Sequence, residues 1–240
     1  MPVRFLPAGD TALVIEFGEH ADRALSDRVL RLSERIRSAG LPGLVETVPT
    51  FRSLAVHYDP TVTSAQSLRE AASAFLEDSG GERRTARLWR VPACYHPRYA
   101  PDLDEVAERT GLAPEEVGAL HAATTFHVYM IGFAPGLPYM GDLPEQLVLP
   151  RRVDPRVRVP AGSLAIATTL TNIYPYESPG GWHLIGATPI RLFDLSREDP
   201  AIFRPGDAVR FEPVDPDTYE ALRAAVAQGT YMLASESVPA

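Results

Sequence analysis

Between residues 125 and 218 the chain leaves almost no room for a helix. Its apolar residues come in short runs, "FHVYMIGF", "LVLP", "VRVPAG", "SLAIAT", "TPIRLFD" and "AVRFEPV", punctuated throughout by Pro and Gly. A proline inside a helix removes a hydrogen bond and clashes with the preceding turn, so this stretch reads as strands and turns. Many short strands with frequent turn signals predict an all-β barrel or sandwich. "RPGDAVRFEPV" reads as a turn feeding a last barrel strand, and helical pattern returns only over 218–228. Two short helices precede the β region. Asp102 is placed to cap "LDEVAERT", which Gly111 ends, and Pro114 stands at the first helical position of "PEEVGALHAAT".

The first part of the chain is built differently. "TALVIEF" is β-branched and apolar, a good strand. Leu25, Val29, Leu32 and Ile36 recur at spacings of four, three and four, one apolar helix face that Gly40 and Pro42 bring to an end. "LVETVPTF" and "SLAVHY" follow as strands. Thr63 and Gln66 form a T-x-x-Q capping box for a helix burying Leu68, Ala71, Ala72, Phe75 and Leu76, which "SGG" ends. An exposed loop is expected over 77–85, and "ARLWRVPA" then reads as another strand. The order β-α-β-β-α-β is that of a ferredoxin-like unit. The fold class is therefore α+β, with a small ferredoxin-like domain over 1–90 and a β-barrel domain over 91–240.

The net charge of −8 argues against a nucleic-acid partner held by bulk electrostatics. No apolar run approaches the ~18 residues that span a bilayer, and the N-terminus shows no basic-then-apolar leader, so the expectation is a soluble cytoplasmic protein without a membrane partner. The single cysteine, Cys94, reads as a buried thiol. Six scattered histidines and one cysteine give no metal-ligand spacing, so no metal is expected. A P-loop, G-x-G-x-x-G after a strand, H-E-x-x-H and G-x-S-x-G are all missing.

Three segments carry candidate chemistry. In "YMIGFAPGLPYMGDLP", Phe133 and Tyr139 offer flat faces, while Pro135 and Gly136 stiffen and bend the loop. The plainer reading of this loop is a barrel corner packed by its own aromatics. In "PRRVDPRVRVPAGS", four arginines fall within eight residues of an acidic protein. Arg156 and Arg158 share a face of a strand. Arg151 and Arg152 read as a solvated edge, whereas Arg158 is the better anion ligand, since a guanidinium suits a carboxylate or phosphate. Beside it Pro160, Ala161, Gly162 and Ser163 offer backbone N–H groups and a hydroxyl as an anion-binding nest. In "IYPYESPGGWHLIG", Tyr174 and Trp182 are walls, Gly180 and Gly181 allow close approach, Glu177 is a base or cation partner, and His183 is a proton-transfer candidate. Strand alternation sets Trp182 and His183 on opposite faces.

Taken in order, "GFAPGLPYM", "PRRVDPRVRVPAGS" and "YESPGGWHLIGATP" closely resemble the KipI/PxpB family, also called allophanate hydrolase subunit 1 or carboxyltransferase subdomain C. The resemblance runs over nearly the whole chain. It implies an α+β N-terminal domain joined to a cyclophilin-like β-barrel. It also implies one component of an ATP-dependent 5-oxoprolinase, opening 5-oxoproline to glutamate together with a KipA/PxpC-type subunit and PxpA. The substrate is then a small anionic or amide compound, and ATP is consumed by the complex. Two alternatives come with the resemblance: the carboxyltransferase half of a biotin-dependent urea or amide carboxylase, and an inhibitor of a sensor histidine kinase. The sequence departs from the family pattern at Thr168 and Thr169, where many members carry glycines, at Leu170 and Asn172, where they carry Gln and Gly, and at Ala187, where they carry Arg.

Overall fold

The computed structural model describes residues 3–77 and 85–239. Most of the expected 77–85 loop, with the "SGG" helix stop, lies outside the described residues. The protein is a mixed α+β structure whose chain divides into two units, Met1–Thr85 with Pro239–Ala240, and Ala86–Val238.

The first unit contains β1 (Arg4–Pro7), β2 (Ala12–Glu16), α1 (Arg23–Ser38), β3 (Leu44–Pro49), β4 (Ser53–Tyr58) and α2 (Ala65–Glu77). α1 begins where Asp22 accepts the Leu25 N–H at 2.8 Å, and it buries the predicted stripe of Val29, Leu32 and Ile36. β4 lies between β2 and β3 and is antiparallel to both. The β2–α1–β3 crossover is thus a split βαβ. The fourth strand corrects the ferredoxin-like expectation: the sheet order is β1-β2-β4-β3, and the place beside β2 is taken by β1 through an N-terminal hairpin. "ARLWRVPA" joins the second unit instead. α2 also starts one residue later than its predicted box, because Ser64 takes the capping role toward Ser67 and Gln66 donates to Glu70.

The second unit is built on an eight-stranded sheet. Its strands, in spatial order, are β12 (His183–Ala187), β9 (Ser163–Ala167), β10 (Leu170–Ile173), β7 (Pro138–Gly141), β6 (Thr125–Ile131), β13 (Ala208–Pro213), β5 (Thr85–Ala93) and β14 (Ser235–Pro239). The sheet curls until Cys94, which follows β5, pairs with Ala187 at the end of β12 through two backbone hydrogen bonds of 2.8 and 3.0 Å. A two-stranded ribbon pairs β8 (Arg156–Val159) with β11 (Ser178–Gly180). Helices α3 (Leu103–Thr110), α4 (Pro114–Ala123) and α5 (Pro216–Ala227) complete the unit.

β9 explains why this region reads as a continuous apolar run. All five of its residues are buried. Leu164 and Ile166 enter the main core with Val91, Phe126, Met140 and Phe211. Ala165 and Ala167 face a second cluster of Leu137, Val159, Tyr174, Trp182 and Leu184. A strand covered on both faces has no need of polar alternation, and the second cluster is the floor on which the candidate site stands.

Candidate functional site

A pocket of about 180 Å³ opens over that cluster, lined among others by Phe133, Tyr139, Tyr174, Gly180, Gly181 and Trp182. These six are sequence candidates brought to one place. Phe133 takes a left-handed φ of 66° and is 69% exposed at the rim, a conformation that a bulky residue rarely adopts. Its loop is tied by the Tyr176 hydroxyl, which donates to Pro135 O at 3.0 Å, and it turns at Gly136, whose φ is 79°. Tyr139 meets Trp182 edge-on at 6.0 Å. Gly180 is where the wall comes closest: a methyl group there would overlap the Tyr174 hydroxyl. Gly180→Ala is expected to destabilise this unit by about 1–3 kcal/mol through overpacking. Urea unfolding followed by tryptophan fluorescence measures this, since both Trp89 and Trp182 belong to the second unit; an unchanged midpoint would count against so tight a wall.

The remaining candidates stand elsewhere. Arg158 and Glu177 face one another in a two-pronged ion pair at 3.0 and 2.9 Å, with side chains 76% and 52% exposed, and neither lines the pocket. His183 is fully buried on the other side of its strand from Trp182; its Nε2 lies 3.0 Å from Pro150 O. In the stretch Pro160, Ala161, Gly162 and Ser163, the N–H of Gly162 donates to Tyr174 O at 2.7 Å and that of Ser163 to Pro160 O at 3.3 Å. Those donors close the turn into β9 instead of facing a ligand. Gly162 (φ 82°) is required because a side chain would strike the Thr188 carbonyl. Cys94 is buried, and burial pushes its thiol pKa up, so it stays a thiol.

The pocket also takes residues outside the sequence candidates: Arg151, Arg152, Asn172, Leu137, Pro155 and Pro179. Arg151 lies 5.9 Å over the Trp182 ring, and its charge acts on the hydroxyls of both Tyr139 and Tyr174, partly opposing the rise that burial gives their pKa values. Arg152 is anchored from behind. Its Nη1 donates to Glu105 at 2.7 Å and to Asp102 at 3.2 Å, and its backbone N–H donates to Gly181 O at 2.8 Å. The Arg152 guanidinium holds the Glu105 carboxyl below its usual range. Its Nε is buried without a partner among the described residues.

Asp102 organises this wall. Expected as a helix cap, it makes no side-chain capping bond, and its carboxylate, 3% exposed, is used otherwise. It accepts from Leu184 N at 2.6 Å, from Arg152, and from both terminal nitrogens of Arg156, one of them at 2.8 Å. One buried carboxylate thereby joins the arginine segment to β12 and, through Arg156, to the β8–β11 ribbon. Its partners lie fifty and more residues away, so no local pattern announces them.

Thr168 keeps a glycine-like backbone despite its side chain. Its φ is 54°, its N–H donates to Leu149 O at 2.6 Å, and its hydroxyl donates to Ala167 O at 2.6 Å. This left-handed backbone, rare for a β-branched residue, is thus held by hydrogen bonds.

The second unit is thus a curled sheet with a small pocket on one face and the Arg151 guanidinium over the aromatic wall of Trp182. The whole sequence matches the family model "Carboxyltransferase domain, subdomain C and D" over residues 3–203, and the chain belongs to that family, the KipI/PxpB group included. It is 36% identical over 229 residues to the B-type component of 5-oxoprolinase from Bacillus subtilis (strain 168), covering 90% of this chain and 94% of that one. It matches the crystal structure of TTHA0988 with a TM-score of 0.76 at 37% identity, over 85% of this chain and 40% of that longer one. It also matches the K. lactis urea amidolyase with a TM-score of 0.79 at 21% identity, over 98% of this chain but 16% of that one, a likeness of fold alone. Among the described residues no helix is long and apolar enough to cross a membrane, and no group of three or more His, Cys, Asp or Glu side chains is placed to hold a metal ion.

Proposed function

We propose that this chain is the B-type component of an ATP-dependent 5-oxoprolinase complex, a hydrolase subunit that is inactive without its KipA/PxpC-type and PxpA-type partners, and that its pocket takes the small anionic amide substrate. The observation that carries this reading is Arg151, a guanidinium held over Trp182 at a small aromatic pocket, with no carboxylate partner among the described residues. An unpaired cation in such a place is suited to a carboxylate brought by a ligand. The near full-length similarity to 5-oxoprolinase components of the same type supports the same reading. ATP drives the opening of an otherwise stable lactam. At about 180 Å³ the pocket is smaller than the ~300 Å³ and upward of sites for drug-sized ligands, and the sequence has no nucleotide motif. ATP is consumed by the complex as a whole. The carboxyltransferase alternative, with biotin on a separate carrier, has behind it the likeness of fold and a distant sequence similarity, 24% over 271 residues, to a putative urea carboxylase from Emericella nidulans.

Coexpression with the two partner proteins and an assay for ATP-dependent glutamate release from 5-oxoproline tests the proposal. Release is expected only with all three proteins present. Arg151→Ala is expected to lower kcat/KM about 10- to 100-fold, the usual cost of a lost charged hydrogen bond, and Arg158→Ala far less, because Arg158 is held by Glu177. A well-formed complex that releases no glutamate would overturn the reading.

A further inference from the structure

We infer that Asn172 selects the ligand of this pocket: its amide oxygen accepts a hydrogen bond from an N–H or O–H of a small, flat ligand whose anionic group is held by Arg151. The inference deepens the reading of this pocket as a substrate site and rests on it.

Alternation along β10 fixes where Asn172 points. Thr171 turns to His121, 2.9 Å away, and Ile173 enters the main core. Asn172, between them, is on the pocket side with Tyr174, and both line the pocket. It is 3% exposed, and its amide hydrogen-bonds the Tyr174 hydroxyl, which opposes the rise that burial gives that group. The amide oxygen is buried with no partner among the described residues. A buried carbonyl left without a donor is uncommon and costly. Asn172 lines the pocket, and that is the side from which a ligand donor would approach the oxygen. Arg152, which also lines the pocket, likewise has a buried Nε donor without a partner among the described residues.

The pocket's demands are therefore complementary and separated. On the β10 side it lacks a hydrogen-bond donor. On the Arg151–Trp182 side it presents a cation over an aromatic face. Tyr139, Leu137 and Trp182 supply flat apolar walls between them. The chemical class that answers all three is a compact cyclic amide bearing a carboxylate and keeping its amide hydrogen.

Titration calorimetry on the full chain tests this with four probes: L-5-oxoproline; its N-methyl derivative, which cannot donate; 2-pyrrolidinone, which lacks the carboxylate; and tetrahydrofuran-2-carboxylate, which lacks the N–H. L-5-oxoproline is expected to bind, and each of the others at least 10-fold more weakly. Asn172→Leu is expected to bring N-methyl-5-oxoproline within about 3-fold of 5-oxoproline while 2-pyrrolidinone stays weak; Arg151→Gln should give the reverse pattern. Asn172→Ala, which likewise lacks the acceptor, provides the same comparison if the leucine variant does not fold. Equal binding of the N-methyl derivative to the unaltered chain, unchanged discrimination in both Asn172 variants, or no binding of any probe would overturn the inference. The outcomes separate from those of the reconstituted complex. Glutamate release without N–H discrimination sinks this inference alone, and discrimination without glutamate release sinks the proposed reaction alone.

Discussion

Asp102→Ala is expected to destabilise the second unit by about 3–5 kcal/mol, the range found when one member of a buried ion pair is removed. Three groups lose their partner at once. Arg156 loses both prongs of its fork, Arg152 keeps only Glu105, and the Leu184 N–H inside the sheet is left with no acceptor. The arginines are 22% and 26% exposed at their side chains, too enclosed for water to replace the carboxylate fully. Asp102→Asn is expected to cost less, since an amide oxygen still takes the Leu184 N–H while its NH2 group faces the guanidinium groups. Glu105→Ala should cost little, because Glu105 is 43% exposed. Urea titrations read by tryptophan fluorescence measure all three. A double-mutant cycle with Arg156→Ala is expected to show a coupling of at least about 1 kcal/mol. An Asp102→Ala protein within about 1 kcal/mol of the unaltered chain would refute the idea that this carboxylate holds the pocket wall.

The same residue shows why part of the site is legible in the sequence and part is not. Residue type and short-range pattern point to Phe133, Tyr139, Tyr174, Gly180, Gly181 and Trp182, because rigid turns and aromatic walls are written in neighbouring residues. The four-three-four spacing marks the α1 stripe for the same reason. Which arginine faces the pocket depends on which carboxylates neutralise the others, and those come from distant parts of the chain. Arg158 is the favoured anion ligand by its apolar neighbours and its motif, yet Glu177, nineteen residues on, takes it. Asp102 carries a local signal for a helix cap and does something non-local. The strand over 85–93 is recognisable as a strand, but its sheet is not. Strand pairing is settled by competition, and β1 is short, mostly exposed and ends in proline, so it gives no alternating pattern to announce that it occupies the edge beside β2. Asn172 stands out in the sequence only as a departure from the family pattern; its unpaired oxygen is a property of the packed structure.

Stability is expected to fall as pH is lowered below neutrality, and His121 is expected to be a main cause. This residue is fully buried on α4. Its Nδ1 lies 2.8 Å from the Tyr95 hydroxyl and its Nε2 2.9 Å from Thr171 Oγ1. Thr171 gives its one hydrogen to Ala165 O at 3.1 Å, so Nε2 must be the donor to Thr171 and Nδ1 the acceptor from Tyr95. Burial raises the Tyr95 pKa well above its usual value, which keeps that hydroxyl a donor. A second proton on the ring would force the Tyr95 hydroxyl to turn its own hydrogen away and would put a charge, out of water, between the rings of Phe126 and Phe211. Burial accordingly lowers the His121 pKa to about 3 from 6.5. The unfolded chain binds a proton here below pH 6.5, while the folded chain does not until about pH 3. Protons therefore favour unfolding across that window, and the stabilisation is fully present only above 6.5. The loss is up to about 1.4 kcal/mol per pH unit, or roughly 2 kcal/mol between about pH 7 and 5, a range in which ordinary carboxylates scarcely titrate. His121→Gln is expected to be less stable at about pH 7 but to lose about 2 kcal/mol less than the unaltered chain over that interval. Urea midpoints taken at intervals between about pH 7 and 5 decide it. Parallel slopes for the two proteins would mean that His121 does not stay neutral in the fold, and that the Tyr95–His121–Thr171 chain behind the pocket strand is wired differently.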